Sequence, residues 1–181
     1  MATQGRGSPM WLTEPSSTLP DVYRRQGIAI SDVGRITDSG GFDFIFNICH
    51  SVDHPINQGG VPEGFSPILP QLQPCDIHKH TVFHLNSYLA SASVEKSHRE
   101  NDSSPPSGFR GITFESSASE GAILTMPQGS HAEDLANVAR FRKYFADNAE
   151  SWYRYINNEC GREIRNGNLR LVIGCDKASA W

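Results

Sequence analysis

The chain has 181 residues, 38% of them hydrophobic, and a formal net charge of −4 with acidic and basic residues mixed along its length. That size suits one substantial core and makes a single domain the default, while the lack of a basic stripe argues against a nucleic-acid partner. No stretch approaches the roughly 20 apolar residues of a membrane helix, and the first residues have no apolar signal segment, so a soluble cytoplasmic protein with no membrane partner is expected.

Residues 1–20, rich in Gly, Pro, Ser and Thr, read as a flexible tail pinned at Trp11, and residues 21–181 as one α+β domain. Val33–Thr37, the turn Asp38-Ser39-Gly40-Gly41 and the run Phe42–Ile48 predict a β-hairpin, with Phe42, Phe44, Phe46 and Ile48 sharing one face by alternation. Residues 53–74 hold five prolines and no period, which predicts a long loop that either carries function or wraps the core. Strands are expected at His80–Leu85, Tyr88–Val94, Gly111–Glu115 and Ala122–Thr125, with a polar loop from Lys96 to Gly108.

Ser130-His131-Ala132-Glu133 has the pattern of a capping box, so a helix is expected to start there. Leu135, Val138, Phe141, Phe145, Ala149, Trp152 and Ile156 recur at steps of three or four, an apolar stripe across about 131–160 with Gly161 as its stop. The stripe calls for a broad partner, most simply the face of an antiparallel sheet. After Asn166-Gly167, residues 169–175 read as a further buried strand.

Three groups of residues carry potential chemistry. Cys75, His78, His80 and His84 gather possible ligands in ten residues, and on a strand the His-x-His pair would present two imidazoles to one side, as a zinc or iron site needs. A partly exposed strand with a polar solvent face explains the same residues and is the preferred reading. Cys175, Asp176 and Lys177 combine a thiol, a carboxylate and an ammonium, elements of nucleophilic catalysis, although neighbours on a strand point to opposite faces. A small thiol closing a strand accounts for Cys175 more simply. Among Trp152, Tyr153 and Tyr155, Trp152 is assigned to the core and Tyr153 or Tyr155 is left available to a ligand or partner, with Tyr155 taken as the contact, although packing as core and rim is the preferred reading. The four cysteines form no Cys-x-x-Cys pair and are read as free thiols. The common phosphate-loop, zincin, nucleophile-elbow and dinucleotide motifs do not occur.

Two resemblances follow from particular segments. Gly121-Ala-Ile-Leu-Thr-Met-Pro127-Gln-Gly129-Ser-His131 is similar to the second motif of the cupin barrels, which implies a metal-binding role for His131. His131 falls one residue early, and the first motif lacks its leading Gly and its Glu. Pro9–Pro15, Tyr23–Gly27, Asp32-Val33-Gly34, Gly41–Cys49, Asp53–Asn57, Ser116–Gly129, Ser151-Trp152-Tyr153 and Gly174–Lys177 together resemble a family of uncharacterised proteins from mushroom-forming fungi. That resemblance brings no activity, and it implies further β structure after residues 174–181, whose loss would leave an open sheet edge for self-association.

The reading is therefore an α+β fold, an antiparallel sheet packed by one long helix at about 131–160 and followed by a strand at about 169–175. The function expected is a non-enzymatic domain binding a protein or small molecule without a cofactor through Tyr155, Cys175, Asp176 and Lys177. The alternative is a zinc- or iron-dependent enzyme using Cys75, His78, His80, His84 and His131.

Overall fold

The computed structural model describes residues 7–97 and 113–178. The segment expected as a loop up to Gly108 lies outside the described residues from 98 on, as do Gly111 and Ile112. In chain order the elements are α1 (Asp21–Gln26), β1 (Asp32–Ile36), β2 (Phe42–Asn47), β3 (Ile77–Phe83), β4 (Ser87–Ala90), β5 (Val94–Ser97), β6 (Thr113–Ser116), β7 (Ile123–Met126), β8 (Ser130–Leu135), α2 (Val138–Arg154), β9 (Arg170–Leu171) and β10 (Gly174–Ala178). The fold is α+β, with small antiparallel sheets, one long helix and strand after it. Packing divides the chain into two units, residues 1–79 with 132–175, and residues 80–131 with 176–181.

In the first unit the β1–β2 hairpin closes through Gly40, whose φ of +79° suits glycine, with Thr37 N–H donating to Gly41 O at 2.8 Å. Trp11 is 82% exposed, so its backbone and not a buried ring fixes the N-terminal segment: the Trp11 and Leu12 amides both donate to Gly40 O. Along the hairpin Val33 faces Phe46 and Gly34 faces Phe44, which leaves Ile45 as an extra residue, a β-bulge. The bulge breaks the expected alternation. Phe42 and Phe44 pack with Tyr23, Ile56 and Leu19, whereas Ile45, Phe46 and Ile48 enter the main core.

That core is centred on Phe46, which meets Trp152 edge-on at 5.2 Å and Phe65 at 5.6 Å. Phe141, Trp152, Tyr155 and Ile156 supply the inward face of the helix. The proline-rich loop wraps this core, placing Ile68 in it at 1% exposure and donating Ile68 N–H to Ile48 O. At its end α2 widens into a π-helical turn, Tyr155–Glu159, in which Cys160 N–H reaches back to Tyr155 O. Tyr155 and Ile156, three and four residues after Trp152, both face inward with it.

Three elements differ from expectation, the first being Tyr88–Val94, expected as one strand, which divides into β4 and the start of β5 on either side of residues 91–93. Residues 130–135 are strand, and the helix begins at Val138 with Asn137 before it. The Glu133 carboxylate does not cap a helix: it pairs with Lys79 Nζ at 2.6 Å, while Ala132 and Leu135 are buried and the Ser130 hydroxyl has no partner among the described residues. Residues 169–175, expected as one strand, serve two sheets. Leu171 pairs with Val33, Val172 exchanges backbone bonds with Ser31 and Asp32, and the next carbonyl, Ile173 O, accepts from Leu135 N–H. The first sheet is ordered β2-β1-β9 and the second β10-β8-β3, so β9 and β10 each stand at a sheet end.

In the second unit β5 pairs with β6 and β4 with β7, both antiparallel, so that one hairpin nests within the other. Met126 is its one deeply buried apolar side chain among the described residues, and Tyr88 packs edge-on against Phe114 at 4.9 Å.

Candidate functional site

The expected ligands separate according to where β3 and β8 place them. Cys75 lies exposed in a short 3₁₀ turn, Pro74–Asp76, and His78 and His80 are exposed on β3, so the His-x-His pair sits on a solvated stretch. Beyond the end of β3 the chain turns at Asn86, in the left-handed region with φ +59°, and the Ser87 amide and hydroxyl both donate to His84 O. This turn lies against the β7–β8 connection, where Asn86 N–H donates to Pro127 O. Gly129, at φ +72°, completes the contact: a Cβ there would overlap the Phe83 carbonyl, so only glycine lets the two turns approach. The Pro-x-Gly pattern therefore has a local structural cause.

Between these turns is a cleft of about 260 Å³, lined by His84, His131, Lys177, Thr81, Ser130 and Gln128, with Phe83 and Leu85 at its apolar side. Thus the structure brings together two of the five expected metal ligands and one of the four expected ligand-binding residues. Among the residues lining the cleft there is one ammonium, two imidazoles, two hydroxyls and an amide, and no carboxylate. The Ser130 hydroxyl oxygen is buried without a hydrogen-bond partner among the described residues. Such a lining offers donors to a negative group. No group of three or more His, Cys, Asp or Glu side chains is placed to hold a metal ion among the described residues.

The remaining expected site residues do not join it. Tyr155, expected at the surface, is a correction: it is 8% exposed, packs on Phe46, and its hydroxyl is pushed above its ordinary pKa of 10.0 by burial and then by Cys160. Helical spacing explains the difference, since Tyr155 lies three residues after the buried Trp152 and so shares its inward face. Cys175 is half-buried with Sγ 3.9 Å from Ile28 O, and Asp176 is exposed.

A buried polar network in the first unit was not anticipated. Asp32, wholly buried, accepts from Ala29 N–H and from Asn47 Nδ2, each at 2.7 Å. Ser31, at φ +80°, donates from its hydroxyl to Asn47 Oδ1. Asn57 Oδ1 accepts from Asn47 N–H at 2.8 Å, and its Nδ2 donates to Asn47 O, His50 O and Ser51 O at 3.1 Å each. The Tyr23 hydroxyl is buried too and is held far above its ordinary pKa, first by burial and then by the charge of Asp32. Ser31, Asp32, Asn47 and Asn57 pair with one another away from solvent, which assigns them to fixing the hairpin and its following loop, while the Tyr23 hydroxyl makes no hydrogen bond among the described residues. The one sequence signal is the polar pair Asp32 and Asn47 at matching ends of the hairpin.

Comparison with known protein families, with curated proteins and with solved structures finds no match to this chain.

Proposed function

We propose that the protein is a binding domain whose second unit takes a small anionic group, a phosphate or a carboxylate, in the cleft at Lys177. The observation that supports this is the composition of the lining: Lys177, His84 and His131 together with the hydroxyls of Thr81 and Ser130, the latter buried without a hydrogen-bond partner among the described residues. An ammonium and neighbouring donors bind an anion more strongly than solvent-exposed charges do when they converge in a concave site. Isothermal titration of the full chain with inorganic phosphate, and separately with acetate, tests the reading. Saturable binding weakened at least about tenfold by Lys177→Gln, a loss of roughly 1.4 kcal/mol, and unchanged by Lys143→Gln on the exposed helix surface is expected. No saturable binding of either anion, or equal binding by Lys177→Gln, would sink it.

A second reading, a zinc- or iron-dependent enzyme of cupin-like type, is supported by one different observation. His131, from the segment similar to the second cupin motif, lines the same cleft as His84. Elemental analysis of untagged protein separates the two readings. Stoichiometric zinc or iron that is lost in His84→Ala, with melting lowered by chelation, would favour the metal and displace the anion.

A further inference from the structure

His50 and His54 stack in the first unit with ring centroids 3.9 Å apart and planes 15° from parallel. Both are half-buried. His54 Nδ1 accepts the Ile56 amide at 3.2 Å and so caps the 3₁₀ turn Pro55–Asn57. An accepting Nδ1 has no proton of its own, so His54 is neutral with its hydrogen on Nε2, an assignment made from the hydrogen bond. The turn it caps delivers Asn57, whose amide occupies both the Asn47 N–H and C=O and continues the pairing of β2 in place of a strand. Asn57 is 1% exposed, so this pairing is lost only if the turn moves.

We propose that His50 and His54 form a pH-sensitive latch on the turn that carries Asn57, closed while both imidazoles are neutral and opened by acid. A proton on His54 Nδ1 sets a donor against the Ile56 amide and removes the cap. A proton on both rings puts two positive charges face to face at stacking distance. Burial first, and the neighbouring His54 second, hold His50 below its ordinary value of 6.5, which agrees with a closed form that resists protonation. The sign follows: a base depressed in the closed form takes its proton on opening, so the closed form is favoured above about 6.5 and loses ground as pH falls below it.

The other ionisable groups near the latch do not supply this response. Asp53 lies between the two histidines in the loop. From α1, which packs on the turn, come Asp21, Tyr23, Arg24 and Arg25, with Tyr23 against Ile56 and Asp21 and Arg24 paired to each other. From β2 comes Asp43, paired with Arg35 and Arg162. Burial pushes the thiol of Cys49, the preceding residue, further up. Of these side-chain types, imidazole alone ordinarily changes charge between pH 5 and 8.

Hydrogen exchange of the full chain at pH 7.5 and 5.5, corrected for intrinsic exchange, is the test, with the Val33 and Phe46 amides as reference. One imidazole protonated only in the open form raises opening about tenfold over that interval, so protection at Ile56, Asn57 and Asn47 should fall by about tenfold or more relative to the reference. His54→Asn keeps a neutral acceptor at the cap and should abolish the extra fall at Ile56. Protection there that tracks the reference amides at both pH values, or an undiminished response in His54→Asn, overturns the proposal. The wild-type nitrogen NMR spectrum is independent of whether that variant folds: His54 Nδ1 unprotonated at pH 7.5 and protonated together with opening is expected, and a protonated Nδ1 in the closed form refutes the latch.

Discussion

Replacing Asn57 tests the claim that one side chain stands in for a strand at the open side of β2. In Asn57→Ala, four contacts disappear: one acceptor for Asn47 N–H at 2.8 Å, and donors to the carbonyls of Asn47, His50 and Ser51 at 3.1 Å. Two amide hydrogens shared among three carbonyls make about two full bonds, so about three bonds are lost in all. At about 1 kcal/mol net for each, with about 1–3 kcal/mol more for leaving a buried amide unpaired and part of it recovered by relaxation, the loss comes to about 4 kcal/mol. Asn57→Asp sharpens the test, since it keeps the shape and the acceptor for Asn47 N–H but turns the donor into an oxygen facing three carbonyls at 1% exposure. It should therefore be worse than alanine at neutral pH. A carboxylate disfavoured by burial and by facing dipoles has its pKa raised, so its penalty lessens as pH falls and the gap to alanine should narrow toward pH 4. Urea unfolding gives the midpoints, and exchange at Asn47 and Ile48 shows whether the loss is local. A loss below about 1 kcal/mol for alanine, or an aspartate variant as stable as wild type at pH 7, would refute the strand-substitute role.

Trp152→Ala should cost about 3–5 kcal/mol in urea unfolding, because a ring at 1% exposure with aromatic partners Phe46, Phe145 and Tyr144 leaves a large cavity; a cost near zero would remove Trp152 from the core. At high pH, Tyr23 and Tyr155 should remain protonated while the first unit is folded, since burial raises both above the ordinary 10.0. Their contribution is complete below pH 10 and lost as pH rises beyond it, so ultraviolet titration should show their ionisation coinciding with unfolding, and reversible titration of all tyrosines in the folded protein would contradict this.

Local periodicity was a good guide where one residue type dominated its surroundings. The hairpin followed from the aromatic run and the Gly-Gly turn, and the helix from Phe141, Trp152 and Ile156 at helical spacing. It failed where a distant partner decided the outcome. Ser130-His131-Ala132-Glu133 satisfies a capping box locally, but Lys79, more than fifty residues earlier, takes the Glu133 carboxylate and the segment becomes a strand. Likewise nothing within Leu169–Cys175 marks the change of partner after Val172, because each half is apolar enough to pair with either sheet. The bulge at Ile45 is of the same kind: its residues alternate faithfully, and only the register against Val33 and Gly34 shows that the phase shifts.

The cleft shows the same limit from the side of chemistry. His78 and His80 alternate on one strand, and because that part of β3 is exposed the spacing puts both imidazoles on a solvated stretch. His84 and His131 are 47 positions apart in the chain and meet because Asn86 and Gly129 turn their connections toward each other, a contact that requires a left-handed asparagine and a position without a Cβ. The residues that told most about the site were therefore the ones that bend the backbone. Glycine at 129 shapes the cleft more than either histidine, since His131 on the same segment with any other residue at 129 would be held away from Phe83 and His84 by the overlap of a Cβ with the Phe83 carbonyl.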